Sequence, residues 1–344
     1  MDKDQYHLFS CLWELTLKCN LNCMHCGSVA GASRHKELSL DECLRVADEI
    51  IELGCKELTF IGGEIFLYKG WEKIAKHLTD NDVVVNLMSN GYRIRDKQIK
   101  QIKHARLSNI GISLDGTEDI HNFIRNNSNS FAEIQIAFDH LNEAKIPIGV
   151  VTSLMEINYP VLEDTYNFLI KNNVNLWQLQ LVNPMGNMAE NRDLIMKPEN
   201  IPDLIEFIVD KNKDRHMLIV AADNIGYYHN HSEYKIRGTR TPVSYWGGCQ
   251  AGLNSLFIDS VGNVKGCGAL YDDVFIEGNV REQSLAQIWH SESTFRYNRD
   301  FSTKLLTGKC KDCDRGEICK GGCRASNYFV NDNLYENAFC PHLN

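Results

Sequence analysis

Three cysteines fall within eight residues near the amino end, in the run Trp13-Glu-Leu-Thr-Leu-Lys-Cys19-Asn-Leu-Asn-Cys23-Met-His-Cys26. This Cys-x3-Cys-x2-Cys spacing supplies three thiolates from one loop. Three thiolates hold three irons of a [4Fe–4S] cube and leave the fourth iron open. Catalytic zinc sites follow the same logic, with protein ligands leaving one position for substrate. The competing reading is a zinc knuckle, for which His25 is the only near candidate as fourth ligand.

A second cysteine zone lies toward the carboxyl end. Cys249 is followed by Gly262-x4-Cys267, then Cys310-x2-Cys313-x5-Cys319-x3-Cys323, and finally Cys340. The blander alternative here is a zinc ribbon at Cys310, Cys313, Cys319 and Cys323, which leaves Cys249, Cys267 and Cys340 unexplained. Six of the 13 cysteines precede residue 56 and seven follow residue 248, so two metal-binding zones flank a cysteine-free middle.

The 344 residues carry 43% hydrophobic and 24% charged residues, the composition of an ordinary globular chain of about two domains. A net charge of −9 with no basic stripe argues against nucleic-acid or anionic-membrane partners. The polar start Met1-Asp-Lys-Asp-Gln-Tyr is no signal peptide, and no apolar run reaches membrane-spanning length. The expected location is cytoplasmic, where cysteines serve as ligands rather than disulfides.

Elements must position these thiols. Leu8–Leu17, Glu57–Ile61, Val83–Met88, Leu107–Leu114, Ile146–Leu154 and Leu176–Leu181 read as strands. Leu40–Leu53 has helical apolar spacing, and Ser39 with Glu42 forms a capping box before it. Phe131–Ala144, Val161–Lys171 and Ile201–Asn212 read as helices, and Met217–Ala222 as a further strand. Six β–α alternations imply a parallel sheet, since parallel neighbours need crossover helices. From about Tyr245 the chain turns glycine- and cysteine-rich, which places a boundary near residue 240.

Cys19-x3-Cys23-x2-Cys26 after the first strand resembles the signature of the radical S-adenosylmethionine superfamily, and further segments agree in order. Gly62-Gly63-Glu64 follows the second strand, Ser89-Asn90-Gly91 ends the third, and Ser113-Leu-Asp115-Gly116 with His121 and Arg125 follows the fourth. The resemblance implies that Gly62, Gly63 and Glu64 hold the methionine amino group. It implies that Ser89 and Asn90 contact the ribose, and that Ser113 and Arg125 bind the methionine part, Arg125 through its carboxylate. Contacts to ribose and adenine fall near Ser153 and Val182. The fold implied is α/β: a partial (β/α)6 TIM-like barrel over residues 1–240, followed by a small cysteine-rich iron–sulfur domain over 241–344.

The carboxyl-terminal pattern resembles the SPASM domain, with Gly278–Leu285 and Ile288-Trp289 as its linking segment. By that resemblance Cys310, Cys313, Cys319 and Cys340 ligate one auxiliary [4Fe–4S] cluster, and Cys249, Cys267 and Cys323 hold another. Some relatives have an eighth cysteine six residues after the first; Ser255 stands there, so the inner cluster has an open iron or a non-cysteine ligand. The implied reaction is reductive cleavage of S-adenosylmethionine to a 5′-deoxyadenosyl radical that takes a hydrogen atom from substrate. The auxiliary clusters then offer an electron exit.

The resemblance points to peptides as substrates. Sulfatase-maturing relatives carry an aspartate after the second cysteine of this domain, where Gly268 stands, and an aromatic where His25 stands. Both departures argue against that activity. Cys26-Gly-Ser-Val-Ala-Gly31 resembles maturases of ribosomally made peptides. The spare cysteines Cys11, Cys43 and Cys55 read as core rather than as the hydrogen donor an epimerase needs. The expected activity is therefore a crosslink in a ribosomally synthesised peptide. The alternatives are a peptide epimerase, a radical dehydrogenase of a small alcohol, a sugar or a protein side chain, and a non-enzymatic iron–sulfur electron carrier. With the first strand near Leu8, no amino-terminal peptide-recognition domain is expected. The expected partners are a precursor peptide, a separate leader-binding protein, and an electron donor such as flavodoxin or ferredoxin.

Overall fold

Apolar strands alternate with amphipathic helices, and the chain buries both by winding the strands side by side. In the computed structural model the described residues are 6–222, 224–225, 233–238 and 246–342, so the boundary expected near residue 240 lies outside them. The strands are β1 (Ser10–Glu14), β2 (Glu57–Ile61), β3 (Val84–Ser89), β4 (Asn109–Ser113), β5 (Ile148–Leu154), β6 (Leu176–Leu181) and β7 (Leu218–Ala221). The helices between them are α1 (Leu40–Glu52), α2 (Trp71–Asp80), α3 (Asp96–His104), α4 (Glu118–Arg125), α5 (Ser130–Glu143), α6 (Leu162–Lys171) and α7 (Ile201–Lys211).

β1 to β7 pair in sequence order and all in parallel, from Ser10 opposite Glu57 to Leu179 opposite Ala221. The three helices that pattern reading did not single out, α2, α3 and α4, are short, and polar residues dilute their apolar stripes. α2 buries Trp71, Ile74, Ala75 and Leu78, whereas α3 buries only Ile99 and Ile102. Trp13 and Phe60 on β1 and β2 are fully buried with ring centroids 5.9 Å apart. Trp177 on β6 donates to the Thr152 hydroxyl, which in turn donates to the Leu114 carbonyl, so a polar thread spans three strands of the core.

The cysteine-rich segment joins the same sheet. β8 (Ser255–Ile258) runs parallel to β1, with Trp13 opposite Ile258. β9 (Asn263–Lys265) and β10 (Gly278–Asn279) then fold back antiparallel. The order is β10-β9-β8-β1-β2-β3-β4-β5-β6-β7, an open ten-stranded sheet whose parallel part forms the barrel. The carboxyl ends of β1 to β6 open on one side, where such sheets place their chemistry. Among the described residues no helix is long and apolar enough to cross a membrane.

Candidate functional site

The loop leaving β1 carries Cys19, Cys23 and Cys26 and is pinned at both ends. Cys19 N–H donates to Gly31 O (2.9 Å) and Gly31 N–H to Leu17 O (3.1 Å). The Glu37 carboxylate accepts from the Thr16 hydroxyl and the Leu17 and Arg34 amides. Two sulfurs receive backbone amides, Leu21 N–H to Cys19 Sγ at 3.4 Å and Ala30 N–H to Cys26 Sγ at 3.3 Å. Burial pushes the Cys19 thiol up to about 11, with Glu64, Cys23 and Cys26 adding to it, so metal binding must displace its proton.

The turn after β2 packs directly on this loop. Gly63 N–H donates to Thr16 O and Glu64 N–H to Lys18 O, at 2.7 and 2.8 Å. A Cβ on Gly63 would collide with the Leu17 and Lys18 carbonyls, so only glycine allows this approach. Glu64 is buried and accepts from Ser89 Oγ and Asn90 N–H, each at 2.9 Å. Burial raises its carboxyl to about 7 despite those donors. Asn90 also donates to Asn20 Oδ1 at 2.8 Å, tying β3 to the cysteine loop.

Arg125, at the end of α4, is buried with its Nε on Asp115 Oδ2 at 2.7 Å and its Nη1 toward Cys23 Sγ at 3.9 Å. Burial alone would raise the Asp115 carboxyl; Arg125, His25, His121 and the Ser153 amide together outweigh it and hold the group below its ordinary range. Ser153 N–H donates to Asp115 Oδ1 at 3.0 Å, so β5 shares this anchor. His25 Nε2 lies 3.7 Å from Asp115 Oδ2, while its Nδ1 is buried without a partner. Burial lowers His25 to about 4.

Two cavities meet here. One of about 170 Å³ is lined by the three cysteines, Gly62, Gly63, Ser89, Asn90, Ser113 and Arg125. The other, of about 880 Å³, holds Ser153 and Val182 in its wall and runs from Cys26 to Cys249, Cys267 and Cys323. His25, Cys26 and Gly62 line both. Every residue to which the family resemblance gives a cluster or cofactor role up to Val182 therefore lines one cavity or the other, except Glu64, which lies behind the first under Ser89 and Asn90.

In the second zone, burial raises the Cys319 thiol to about 12, followed by the charges of Cys340, Cys310 and Cys313, which gathers these four. Cys249, Cys267 and Cys323 pack on a separate apolar cluster of Ala251, Leu270, Phe275 and Ala325. Among the described residues the one His, Cys, Asp or Glu triad with all ligand atoms within 4.8 Å is Cys313, Asp314 and His342. Among the described residues no cysteine triad meets that limit, so none is drawn together as tightly as the sulfurs of one tetrahedral zinc, which stand about 3.8 Å apart. Polar atoms left without partners gather around the second zone: Tyr297 Oη, Arg324 Nε and Nη2, and Asn337 Nδ2. Such orphans are rare unless something else occupies the space between them. The donor set, the glycine cradle and the orphaned polar atoms all fit iron–sulfur clusters.

Pattern reading gave Asp115 no role, although it lies inside the Ser113–Gly116 run, and passed over Gln178 and Gln180. The last two sit at alternate positions of β6 and line the larger cavity. A strand with polar residues on its inward face was the available signal.

Comparison with known proteins agrees with this geometry. Residues 13–169 match the radical SAM superfamily and residues 249–314 the SPASM iron–sulfur cluster-binding domain. An AdoMet-dependent heme synthase of Methanosarcina barkeri (strain Fusaro / DSM 804) is 27% identical over 338 residues, 95% of each chain. Mycofactocin maturase MftC of Mycolicibacterium smegmatis is 27% identical over 329 residues, 92% of this chain and 78% of that one. The crystal structure of Streptococcus suis SuiB bound to S-adenosylmethionine superposes with a TM-score of 0.77 at 15% identity, over 98% of this chain and 78% of that one. The chain is a radical SAM enzyme with a SPASM domain, and its cofactors are S-adenosylmethionine, the [4Fe–4S] cluster that binds it, and auxiliary clusters.

Proposed function

We propose that this enzyme modifies a peptide, installing a crosslink in a ribosomally made precursor. When bound, S-adenosylmethionine and its cluster supply one-electron cleavage of the cofactor and, through it, removal of a hydrogen atom from an unactivated carbon. Cys19, Cys23 and Cys26 hold that cluster. Gly62, Gly63, Ser113 and Arg125 hold the methionine end of the cofactor, with Glu64, Ser89 and Asn90 as one hydrogen-bonded unit behind it. Asp115 fixes the Arg125 guanidinium so that its Nη1 end faces the smaller cavity. Ser153 and Val182 flank the adenosine. Cys249, Cys267 and Cys323 hold an inner auxiliary cluster at the far end of the larger cavity, and Cys310, Cys313, Cys319 and Cys340 an outer one. The barrel of residues 1–240 thus positions the cofactor, and residues 241–344 provide the electron exit.

The observation that carries the peptide reading is the lining of the 880 Å³ cavity. Gln178, Gln180, Asn183 and Gln250 face it, and neutral amides both donate to and accept from a peptide backbone. Arg237 is the one guanidinium among the described lining residues, and it donates to the carbonyls of Ala221, Ala222 and Ile225. A tetrapyrrole is the second reading, favoured by the heme synthase match over 95% of both chains. Heme carries two carboxylates, however, and a site for it calls for cationic side chains. MftC, by name a maturase, supports the first reading. Crosslinking leads epimerisation because Cys11, Cys43 and Cys55 are buried away from the cavity, whose cysteines are all assigned to clusters.

Anaerobic reconstitution tests this. The expected protein binds about twelve irons, four per cube, makes 5′-deoxyadenosine under reduction, and removes two hydrogens from a peptide encoded beside its gene. Formation of heme from a porphyrin precursor, with the peptide mass unchanged, overturns the peptide reading.

A further inference from the structure

The inner auxiliary site has three thiols, Cys249, Cys267 and Cys323, for a cube of four irons. We propose that the Tyr297 hydroxyl is its fourth protein ligand. The inference rests on the assignment of those three cysteines to a cluster.

Ser255 lines the cavity, but its hydroxyl donates to the Gln250 carbonyl at 3.1 Å and is bound within its own turn. Tyr297 is placed differently. It packs against the cluster of Ala251, Leu270, Phe275 and Ala325 that also carries all three cysteines. Its ring meets Phe275 edge-on at 5.8 Å, and its backbone carbonyl accepts from the Tyr335 hydroxyl at 3.2 Å, so ring and backbone are both held. The phenol tip lies against Gly266, the residue before Cys267, where any Cβ would collide with it. In that position the phenol oxygen faces the Gly266 amide, and the buried hydroxyl proton has no acceptor. After burial, the Cys249, Glu277 and Cys267 charges act most on this phenol, so its oxygen lies within electrostatic reach of two of the three sulfurs.

A buried hydroxyl with no acceptor is destabilising; an iron at the open corner removes that cost. Ligation replaces the phenol proton, released to solvent as thiol protons are when cysteines bind metal. The corner is then closed to substrate. The inner cluster carries electrons, and the peptide is held by the amide wall of the cavity.

The full chain with Cys19, Cys23 and Cys26 changed to alanine isolates the auxiliary clusters. About eight irons per chain are expected in this background; about four would show that the inner cube is absent and would end the cluster assignment together with the proposal. With 57Fe, Mössbauer spectra should show one iron in four of one cube with an oxygen-ligand signature, and added cyanide should leave the reduced EPR signal unchanged. In the same background, Tyr297→Phe should make that signal respond to cyanide or should lose four irons. An all-sulfur Mössbauer spectrum overturns the proposal, as does a cyanide response already present with Tyr297 in place.

Discussion

At the residue scale, the site is set by polar groups that burial has left no freedom. His121 on α4 accepts the Asp115 amide at Nδ1 (3.1 Å), so its Nε2 carries the proton and donates to Ser130 Oγ at 2.9 Å. The ring is therefore neutral, and burial lowers it from 6.5 to about 3. A depressed histidine contributes stability that is full above the unfolded value of 6.5 and is lost as pH falls toward the folded one. Between pH 6.5 and 5 this single group should cost about 1.5 kcal/mol. His121→Asn, whose Oδ1 takes the place of Nδ1, should show a shallower loss of urea midpoint over that interval than the wild type. Equal slopes would place the acid sensitivity elsewhere.

At the element scale, two strand ends meet in one backbone contact, the β2 turn on the β1 loop. Gly63 lacks the Cβ that would strike the Leu17 and Lys18 carbonyls, and these carbonyls lie just before Cys19. Gly63→Ala should push the loop away and lower stability by about 1–3 kcal/mol. Its effect on metal should be selective: iron content falls from about twelve toward eight, with the auxiliary EPR signals intact. Uniform loss of all clusters would show that the turn supports the fold at large rather than the first site. The capping box of α1 reaches further than a local cap. Glu42 accepts from the Ser39 amide and also from Arg281 Nε at 2.7 Å, and the Arg281 bond leads the causes that lower its carboxyl to about 2.

At the scale of the whole molecule, the cysteine-rich segment completes the sheet rather than hanging from it. β8 covers the β1 edge in register, and Trp289 Nε1 donates to the Tyr6 carbonyl at 3.1 Å. A chain ended at residue 240 would expose the edge of the strand that carries the cysteine loop, and such unpaired edges invite association. That fragment should aggregate or melt well below the full chain, as light scattering and circular dichroism would show. A monomeric fragment with an unchanged melting temperature would show that the barrel closes its own edge.

Much of this was legible along the chain. Cysteine spacing is local, so Cys19–Cys26 and Cys310–Cys323 declared their chemistry directly. Strand periodicity is also local, and β2 and β6 have the bounds that their apolar runs predict. The capping box at Ser39 and Glu42 formed as written. Other features exist only because distant segments meet. Ser89 and Asn90 close on Glu64 across the sheet, and Asp115 joins Arg125, His25 and Ser153 from three elements. The amides of β6 face a cavity whose other wall arrives from beyond residue 245. Tyr297 has no spacing signal, because its hydroxyl reaches Gly266 through the packing of Phe275 and Ala251 and not through chain proximity. The cysteines alone determined that the chain binds clusters. What lies between those clusters depended on burial, which sets which polar groups lose water and must find a partner, and burial is a property of the folded chain alone.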